Sequence, residues 1–173
     1  IILFILKRNG FFSIAKEDHV HDMSKYMFGW SIFWAYIGFS QFMLIWYANL
    51  PEETFYYNNR MVGSWIYIGP ILLVVKWLAP FLLLLPRASK RSIHFATAIA
   101  CLVVFSEWLD LNWMIMPSFS PGGFIFGWQD IGLFLGFAGI FGFSVRKFLA
   151  SHAMVPMKDP YLHESEHHHV IFA

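Results

Sequence analysis

The stretch CLVVFSEWLDLNWMIMP, residues 101–117, is an apolar run long enough to lie within a membrane, and it contains Glu107 and Asp110. A bilayer core of about 30 Å requires roughly 20 apolar residues in a helix. A carboxylate near the centre of such a helix costs about 2.5–3.5 kcal/mol, so acidic residues there usually face a protein interior or water. The stretch therefore predicts a membrane helix with a polar site inside it.

The composition of the whole chain agrees with this prediction. Of its 173 residues, 58% are hydrophobic and 13% are charged, whereas an average soluble domain is about 25% charged. The formal net charge is only +1, which gives no indication of a nucleic-acid-binding surface. The composition favours an integral membrane protein.

Four segments of the sequence are long and apolar enough to cross the bilayer, and residues 1–6 are predicted to end a fifth. The four predicted spans are about 24–48, 62–85, 93–116 and 124–149. Helices of a soluble core would show a polar face, and barrel strands would alternate and be about half as long. We therefore predict an all-α fold, a polytopic transmembrane helix bundle over residues 1–149 with four full spans plus the end of a fifth.

Basic residues occupy alternate loops of this bundle. They are Lys7, Arg8, Lys16 and Lys25 before the first full span, Arg87, Lys90 and Arg91 between the second and third, and Arg146, Lys147 and Lys158 after the fourth. The loop 117–123 has no charged residue, and the loop 49–61 has one basic residue, Arg60. Because cytoplasmic loops carry an excess of Lys and Arg, we predict that the basic loops and the tail, residues 150–173, are cytoplasmic.

Two carboxylates in the third span lie on one face of a helix. Glu107 and Asp110 are three residues apart, which places them about one turn apart along the axis. Counting about 1.5 Å per residue from the outer helix ends, Asp110 and Asp130 lie some 9 Å deep, with Gln41 near the same level. Glu107 lies a turn deeper. We expect these residues to form one polar layer.

Two further ionisable residues lie closer to the cytoplasmic face. Lys76 is near the middle of the second span, and His94 is just inside that face. The functional hypothesis is a proton path formed by Glu107, Asp110, Gln41, Asp130, Lys76 and His94. Two like carboxylates cannot both ionise cheaply in a low-dielectric bundle, so one would stay protonated near neutral pH unless Lys76 or water compensates.

A structural hypothesis explains the same carboxylates without proton movement. In a polar clamp between helices, a carboxylate accepts a hydrogen bond from a Lys, an amide or a Trp N–H. Trp108, Trp113 and Trp128 are candidate donors. The sequence leaves the clamp and the proton path open.

Redox cofactors are not expected in this chain. Cys101 is the only cysteine, so an internal disulfide, a thiolate cage and a CxxCH haem attachment are excluded. His94 is the only histidine in a predicted span, whereas a membrane b-type haem needs two. The HESEHHHV run, residues 163–170, is interpreted as a solvated contact strip, with adventitious binding of a divalent metal as the alternative. We assign no catalytic, cofactor-binding or metal-ligating residue.

Three strings carry a resemblance to a known family. They are GWSIFWAYIGFSQFMLIWYANLPEETFYYNNR at 29–60, SEWLDLNWMIMPSF at 106–119 and KDPYLHESEHHH at 158–169. Together they resemble a membrane subunit of alternative complex III, a bacterial quinol:cytochrome c oxidoreductase. That complex has two large NrfD-like subunits, related to polysulfide reductase. The strings resemble the one to which the quinol site is not assigned, and that subunit carries no redox cofactor. The resemblance covers nearly the whole chain.

The resemblance implies a respiratory function in the bacterial inner (cytoplasmic) membrane. The complex oxidises quinol and passes electrons through iron–sulfur clusters and c-type haems in partner subunits, so quinol is expected nearby. The implied partners are the other NrfD-like subunit, which oxidises quinol, an iron–sulfur subunit and multihaem cytochrome c subunits. The cofactor-free NrfD-like subunit supports assembly and is thought to hold a proton path. The full subunit has about twice the helices seen here, so the resemblance implies that the chain is its C-terminal half.

Two alternatives stay open on the sequence. In the first, the chain is itself the catalytic quinol-binding NrfD-like subunit, with Trp30, Trp34 and Phe39 lining a quinone-sized cleft and a carboxylate accepting the quinol proton. In the second, it is a purely structural membrane anchor, whose Gly-rich helix face and tail assemble neighbouring subunits.

Overall fold

The computed structural model describes residues 1–11, 14–153, 155 and 158–167, and within these residues the chain is helical without β-strands. Four of the described helical segments are long and apolar enough to cross a membrane. The prediction of an all-α fold with four candidate spans is therefore confirmed.

The helices follow one another with short connections. They are α1 (Ile2–Arg8), α2 (Glu17–Ala48), α3 (Pro51–Asn58), α4 (Trp65–Leu72), a π-helix (Leu73–Leu78), α5 (Ala79–Leu83), α6 (Arg87–Arg91), α7 (Ile93–Ile115), a 3₁₀-helix (Met116–Ser118), α8 (Trp128–Ser151) and α9 (Leu162–Glu166). Each predicted span corresponds to one long segment. These segments are Glu17–Ala48, Trp65–Leu83, Ile93–Ser118 and Trp128–Ser151.

The first span starts earlier than predicted. α2 begins at Glu17, about two turns before residue 24, and Glu17 and Asp18 occupy its first turn. Negative side chains are favourable there because the N-terminus of a helix carries a partial positive charge. The backbone N–H of Lys16 also donates to His19 Nδ1 at 3.2 Å. The polar residues that precede the apolar run therefore extend the helix rather than form a loop.

Pro80 coincides with a wide turn in the second span. Proline has no N–H, so it cannot donate to the carbonyl four residues earlier, which belongs to Lys76. The helix between Leu73 and Leu78 is a π-helix, and the Ala79 N–H accordingly bonds the carbonyl of Val74, five residues earlier. Short π segments of this kind are frequent at functional sites.

The chain divides into two compact units. Residues 1–124 form the first unit, and the described residues between 125 and 167 form the second. The core of the first unit contains Trp65, Ile68 and Leu72, against which Trp34 and Leu109 pack. α8 forms most of the second unit, and none of its residues is buried.

Candidate functional site

Lys76 lies between the two carboxylates of the third span. Its Nζ is 2.7 Å from Glu107 Oε2 and 2.5 Å from Asp110 Oδ2. Lys76 is 4% exposed, so its ammonium is removed from solvent and donates hydrogen bonds to these two acids. The structure thus brings together three of the residues predicted for the proton path.

Trp34 completes this group from the first span. Its indole N–H donates to Asp110 Oδ2 at 3.0 Å, and its ring lies 4.9 Å from Lys76 Nζ, within range of a cation–π interaction. We call Lys76, Glu107, Asp110 and Trp34 the Lys76 cluster. It joins α2, the π-helix and α7 through side-chain contacts.

The π-helix explains why Lys76 points inward. Leu72, Lys76 and Pro80 are all buried, although they are separated by steps of four residues. In a regular α-helix, eight residues make two full turns plus about 80°, so Pro80 would be rotated by about 80° from the face of Leu72. A π-turn contains more residues per turn and removes this rotation, which keeps Lys76 on the buried face.

The two carboxylates differ in exposure. The Asp110 side chain is 10% exposed and accepts hydrogen bonds from both Lys76 and Trp34, whereas the Glu107 side chain is 55% exposed. Asp110 and Lys76 therefore form a closed pair, and Glu107 is the member of the cluster that is open to its surroundings.

Glu107 opens onto a cavity of about 820 Å³ within the first unit. Lys76, Asp110 and Gln41 also line this cavity. Its walls include the three aromatic residues that the sequence predicted for a quinone-sized cleft, which are Trp30, Trp34 and Phe39. We call it the aromatic cavity, and its volume lies within the range of about 300–1,000 Å³ that is usual for small-molecule sites.

His94 does not join the Lys76 cluster. It is exposed near the start of α7, where its ring makes an edge contact with Phe4 at 5.3 Å between centroids. Thirteen residues separate it from Glu107 on the same helix, which corresponds to about 20 Å. Asp130 belongs to the second unit, where its Oδ2 accepts a hydrogen bond from the Gly127 N–H at 2.8 Å and caps α8.

Arg60 forms a second buried polar group that sequence reasoning did not single out. Its guanidinium donates to the carbonyls of Trp113 at 3.0 Å, Met114 at 2.5 Å and Tyr56 at 2.5 Å. Two of these carbonyls belong to the last turn of α7, where backbone acceptors lack helical partners. Arg60 is therefore a C-terminal cap of α7, favoured by the negative end of the helix dipole.

The aromatic neighbours of Arg60 complete its environment. Its Cζ lies 3.4 Å from the centroid of the Tyr56 ring. Burial lowers the pKa of Arg60, and Tyr56 and Tyr57 oppose that effect, while burial raises the pKa of both phenols. Both tyrosines consequently stay neutral at physiological pH.

A metal centre is not apparent in the described parts of the chain. Within 1–11, 14–153, 155 and 158–167, no group of three or more His, Cys, Asp or Glu side chains is placed to hold an ion. In the histidine-rich tail, the rings of His163 and His167 stack at 4.3 Å. His168 and His169 lie outside the described residues, so the metal alternative for this run stays a prediction.

No protein-family model matches the sequence, and no curated protein matches it significantly. The class of the protein therefore rests on its fold. It is a polytopic membrane protein with four candidate spans among the described residues.

Proposed function

We propose that the chain is an integral membrane subunit of a respiratory quinol:cytochrome c oxidoreductase of the alternative complex III type, and that Glu107 holds an exchangeable proton. The resemblance of residues 29–60 and 106–119 to the cofactor-free NrfD-like subunit supports the first part. The observation that carries the second is the placement of Lys76 between two carboxylates inside candidate spans.

The charges of the Lys76 cluster explain why Glu107 is the exchanging group. Lys76 and Asp110 neutralise each other as a buried pair, and breaking such a pair would leave an uncompensated buried charge. Glu107 adds a second carboxylate to the same ammonium. The cluster is neutral when Glu107 is protonated and carries one negative charge when it is ionised, so a proton can move without breaking the Lys76–Asp110 pair.

A clamp that served only to join helices would need one carboxylate for Lys76. Asp110 alone already connects the π-helix to α7 and, through Trp34, to α2. A second carboxylate in the membrane interior adds cost without adding a helix to the connection. Its half-exposed position on the aromatic cavity favours proton exchange.

In this proposal the redox chemistry belongs to partner subunits. An iron–sulfur subunit and multihaem cytochrome c subunits would hold the clusters and c-type haems, and the other NrfD-like subunit would oxidise quinol nearby. The chain would lie in the bacterial inner membrane with its basic loops and tail in the cytoplasm. The excess of basic residues in alternate loops supports that orientation.

The decisive experiment compares Glu107→Gln with Glu53→Gln, which removes an exposed carboxylate on α3. Both variants are purified in the complex, checked for subunit content by gel, and assayed for quinol:cytochrome c turnover and proton uptake in sealed vesicles. We expect Glu107→Gln to assemble and to lose proton uptake, with Glu53→Gln unaffected. Wild-type uptake and turnover in an assembled Glu107→Gln complex would refute the proton function.

The aromatic cavity supports a second candidate function, which is quinol binding in this chain. Trp30, Trp34 and Phe39 line the same space as Glu107, so a bound quinol ring would lie near a proton acceptor. Solvent extraction of the purified complex, followed by mass spectrometry, measures retained quinol. Phe39→Ala should lower the amount retained, and Trp128→Ala, outside the cavity, provides the control. Equal retention in both variants would leave quinol binding to another subunit.

A further inference from the structure

A second, polar cavity lies where several helices of the first unit begin or end. Its volume is about 520 Å³, and the end of α1, the start of α2, the end of α6 and the start of α7 surround it. Lys7, Glu17, Arg91, Ser92 and His94 contribute its polar lining. We call it the headgroup cavity. It shares no lining residue with the aromatic cavity.

The headgroup cavity has two fixed cations. Arg91 Nη2 lies 3.0 Å from Asp18 Oδ1, and Arg91 Nε lies 3.5 Å from Glu17 Oε2, which orients the guanidinium. Lys7 Nζ donates one hydrogen bond to the Ala15 carbonyl at 2.7 Å, and an ammonium has three N–H groups. Lys7 therefore retains donors for a ligand.

The surrounding sequence is strongly basic. Residues 7–25 and 87–91 together contain seven Lys and Arg residues and three Asp and Glu residues. Glu17 lies in the lining itself and, together with Asp18, pairs with Arg91, so Lys7 provides the positive charge that is available to an anion. Basic pockets between membrane helices on the cytoplasmic side commonly bind anionic lipid headgroups.

An apolar groove continues from the headgroup cavity along α7. The groove has a volume of about 130 Å³ and shares Val20 and Ile93 with the headgroup cavity. Phe4, Ala96 and Ala100 line it further along. Ala100 lies seven residues after Ile93, or about 10 Å deeper along the helix. We call it the acyl groove.

We propose that the headgroup cavity and the acyl groove together bind one anionic phospholipid, whose phosphate contacts Lys7 and whose acyl chain lies against Ala96 and Ala100. The change from polar to apolar lining along α7 matches the polarity of a phospholipid at the edge of a bilayer. A free inorganic anion would use only the polar part. The site is separate from the Lys76 cluster and does not depend on the proposed respiratory function.

Native mass spectrometry tests the site on the protein purified in its assembled form, delipidated, and titrated with phosphatidylglycerol or phosphatidylcholine. We expect phosphatidylglycerol to bind more tightly. Lys7→Gln should lower that affinity about fivefold, the effect of removing one basic residue. Arg8→Gln is the matched control, because Arg8 is the exposed neighbour of Lys7 and does not line the cavity. Equal affinity for the two lipids, or equal losses in the two variants, would overturn the proposal.

Two further variants separate lipid binding from misfolding and from binding of a free anion. Glu17→Gln should raise the affinity for phosphatidylglycerol, a gain that a damaged fold cannot produce. Ala100→Phe should lower it by filling the acyl groove without changing any charge. Undiminished binding in Ala100→Phe, combined with displacement of the lipid by soluble glycerol phosphate, would identify an anion site and refute the lipid proposal.

Discussion

Pro80 lies four residues after Lys76 on the same buried face of the second span, and the segment that contains Lys76 is a π-helix. Pro80 thus affects the Lys76 cluster through the backbone and not through a charge. Pro80 lacks a backbone donor, and within the wider turn that precedes it the Lys76 ammonium contacts Glu107 and Asp110. The position of the lysine therefore depends on the backbone as well as on the acids that bind it.

Pro80→Ala should turn Lys76 away from its acids. Alanine restores the missing N–H and favours a regular α-helix, which we expect to rotate the lysine toward the helix surface. Lys76 should then react faster with a membrane-permeant amine reagent, as measured by peptide mass spectrometry. Pro70→Ala is the control, because Pro70 lies in the α-helical part of the span. Unchanged Lys76 reactivity in Pro80→Ala would disprove the role of the π-turn.

Lys76→Met should be the most damaging single change in the Lys76 cluster. It leaves two carboxylates without a cation, and removal of one partner from a buried pair costs about 3–5 kcal/mol. Adding Glu107→Gln and Asp110→Asn should restore much of the lost stability, because no buried charge then remains unpaired. The yield and thermal unfolding of the purified protein measure both effects. A triple variant no more stable than Lys76→Met would contradict this explanation.

Trp34→Phe isolates the contribution of the indole hydrogen bond. Phenylalanine keeps an aromatic ring near Lys76 but cannot donate to Asp110, so we expect a loss of about 1 kcal/mol, as is typical of hydrogen bonds between membrane helices. Trp30→Phe is a matched control from the same helix and the same cavity wall. The midpoint of thermal unfolding should be lower for Trp34→Phe than for Trp30→Phe. Identical midpoints would show that the Trp34 hydrogen bond does not contribute to stability.

Arg60→Lys should loosen the end of α7 although it conserves the charge. Lysine lacks the planar fork that donates to the carbonyls of Trp113 and Met114 together. We expect faster backbone hydrogen exchange in residues 111–118, detected by mass spectrometry of peptides. The control is Arg146→Lys, at an exposed position of α8. Exchange at the wild-type rate would show that charge alone is sufficient at position 60.

The proposed orientation places the loops 49–61 and 117–123 in the periplasm. In a background where Cys101→Ser removes the single native thiol, Ser118→Cys should react with an impermeant maleimide added to intact cells. Ser165→Cys in the tail should react only after the membrane is opened. If Ser165→Cys were labelled in intact cells and Ser118→Cys were not, the orientation would be the opposite of the one proposed.

Sequence patterns were sufficient for the spans because length and hydropathy determine them locally. The carboxylate pair was also recognisable, since acidic residues in an apolar run are costly. Their partners were harder to predict. Counting residues from the outer helix ends places Lys76 about 12 Å deeper than Asp110, yet the two side chains are in contact. The count assumed helix ends at equal depth, whereas α7 continues into a 3₁₀-helix ending at Ser118.

Trp34 and Arg60 show what a single sequence leaves out. The sequence indicates Trp34 only as a candidate cleft residue, and its candidate indole donors are Trp108, Trp113 and Trp128. Which indole meets a carboxylate depends on the rotation of each helix, and local pattern does not determine that rotation. The sequence places Arg60 in the loop 49–61, where it bears only on topology. Its role as a cap depends on where α7 ends, which is set by contacts between segments that are distant in sequence.

The cap formed by Arg60 affects how a membrane potential acts on the charged residues near Asp110. Trp113, which Arg60 binds, lies only three residues, or about 4.5 Å, beyond Asp110 on α7. With Glu107 ionised, Lys76 and Arg60 balance the two acids, so this side of α7 has no net charge. A transmembrane voltage acts on each elementary charge with about 2.3 kcal/mol per 100 mV across the full membrane. A transmembrane voltage would therefore exert little net force on these four balanced charges. If Glu107 exchanges a proton as proposed, the voltage would act chiefly on that proton.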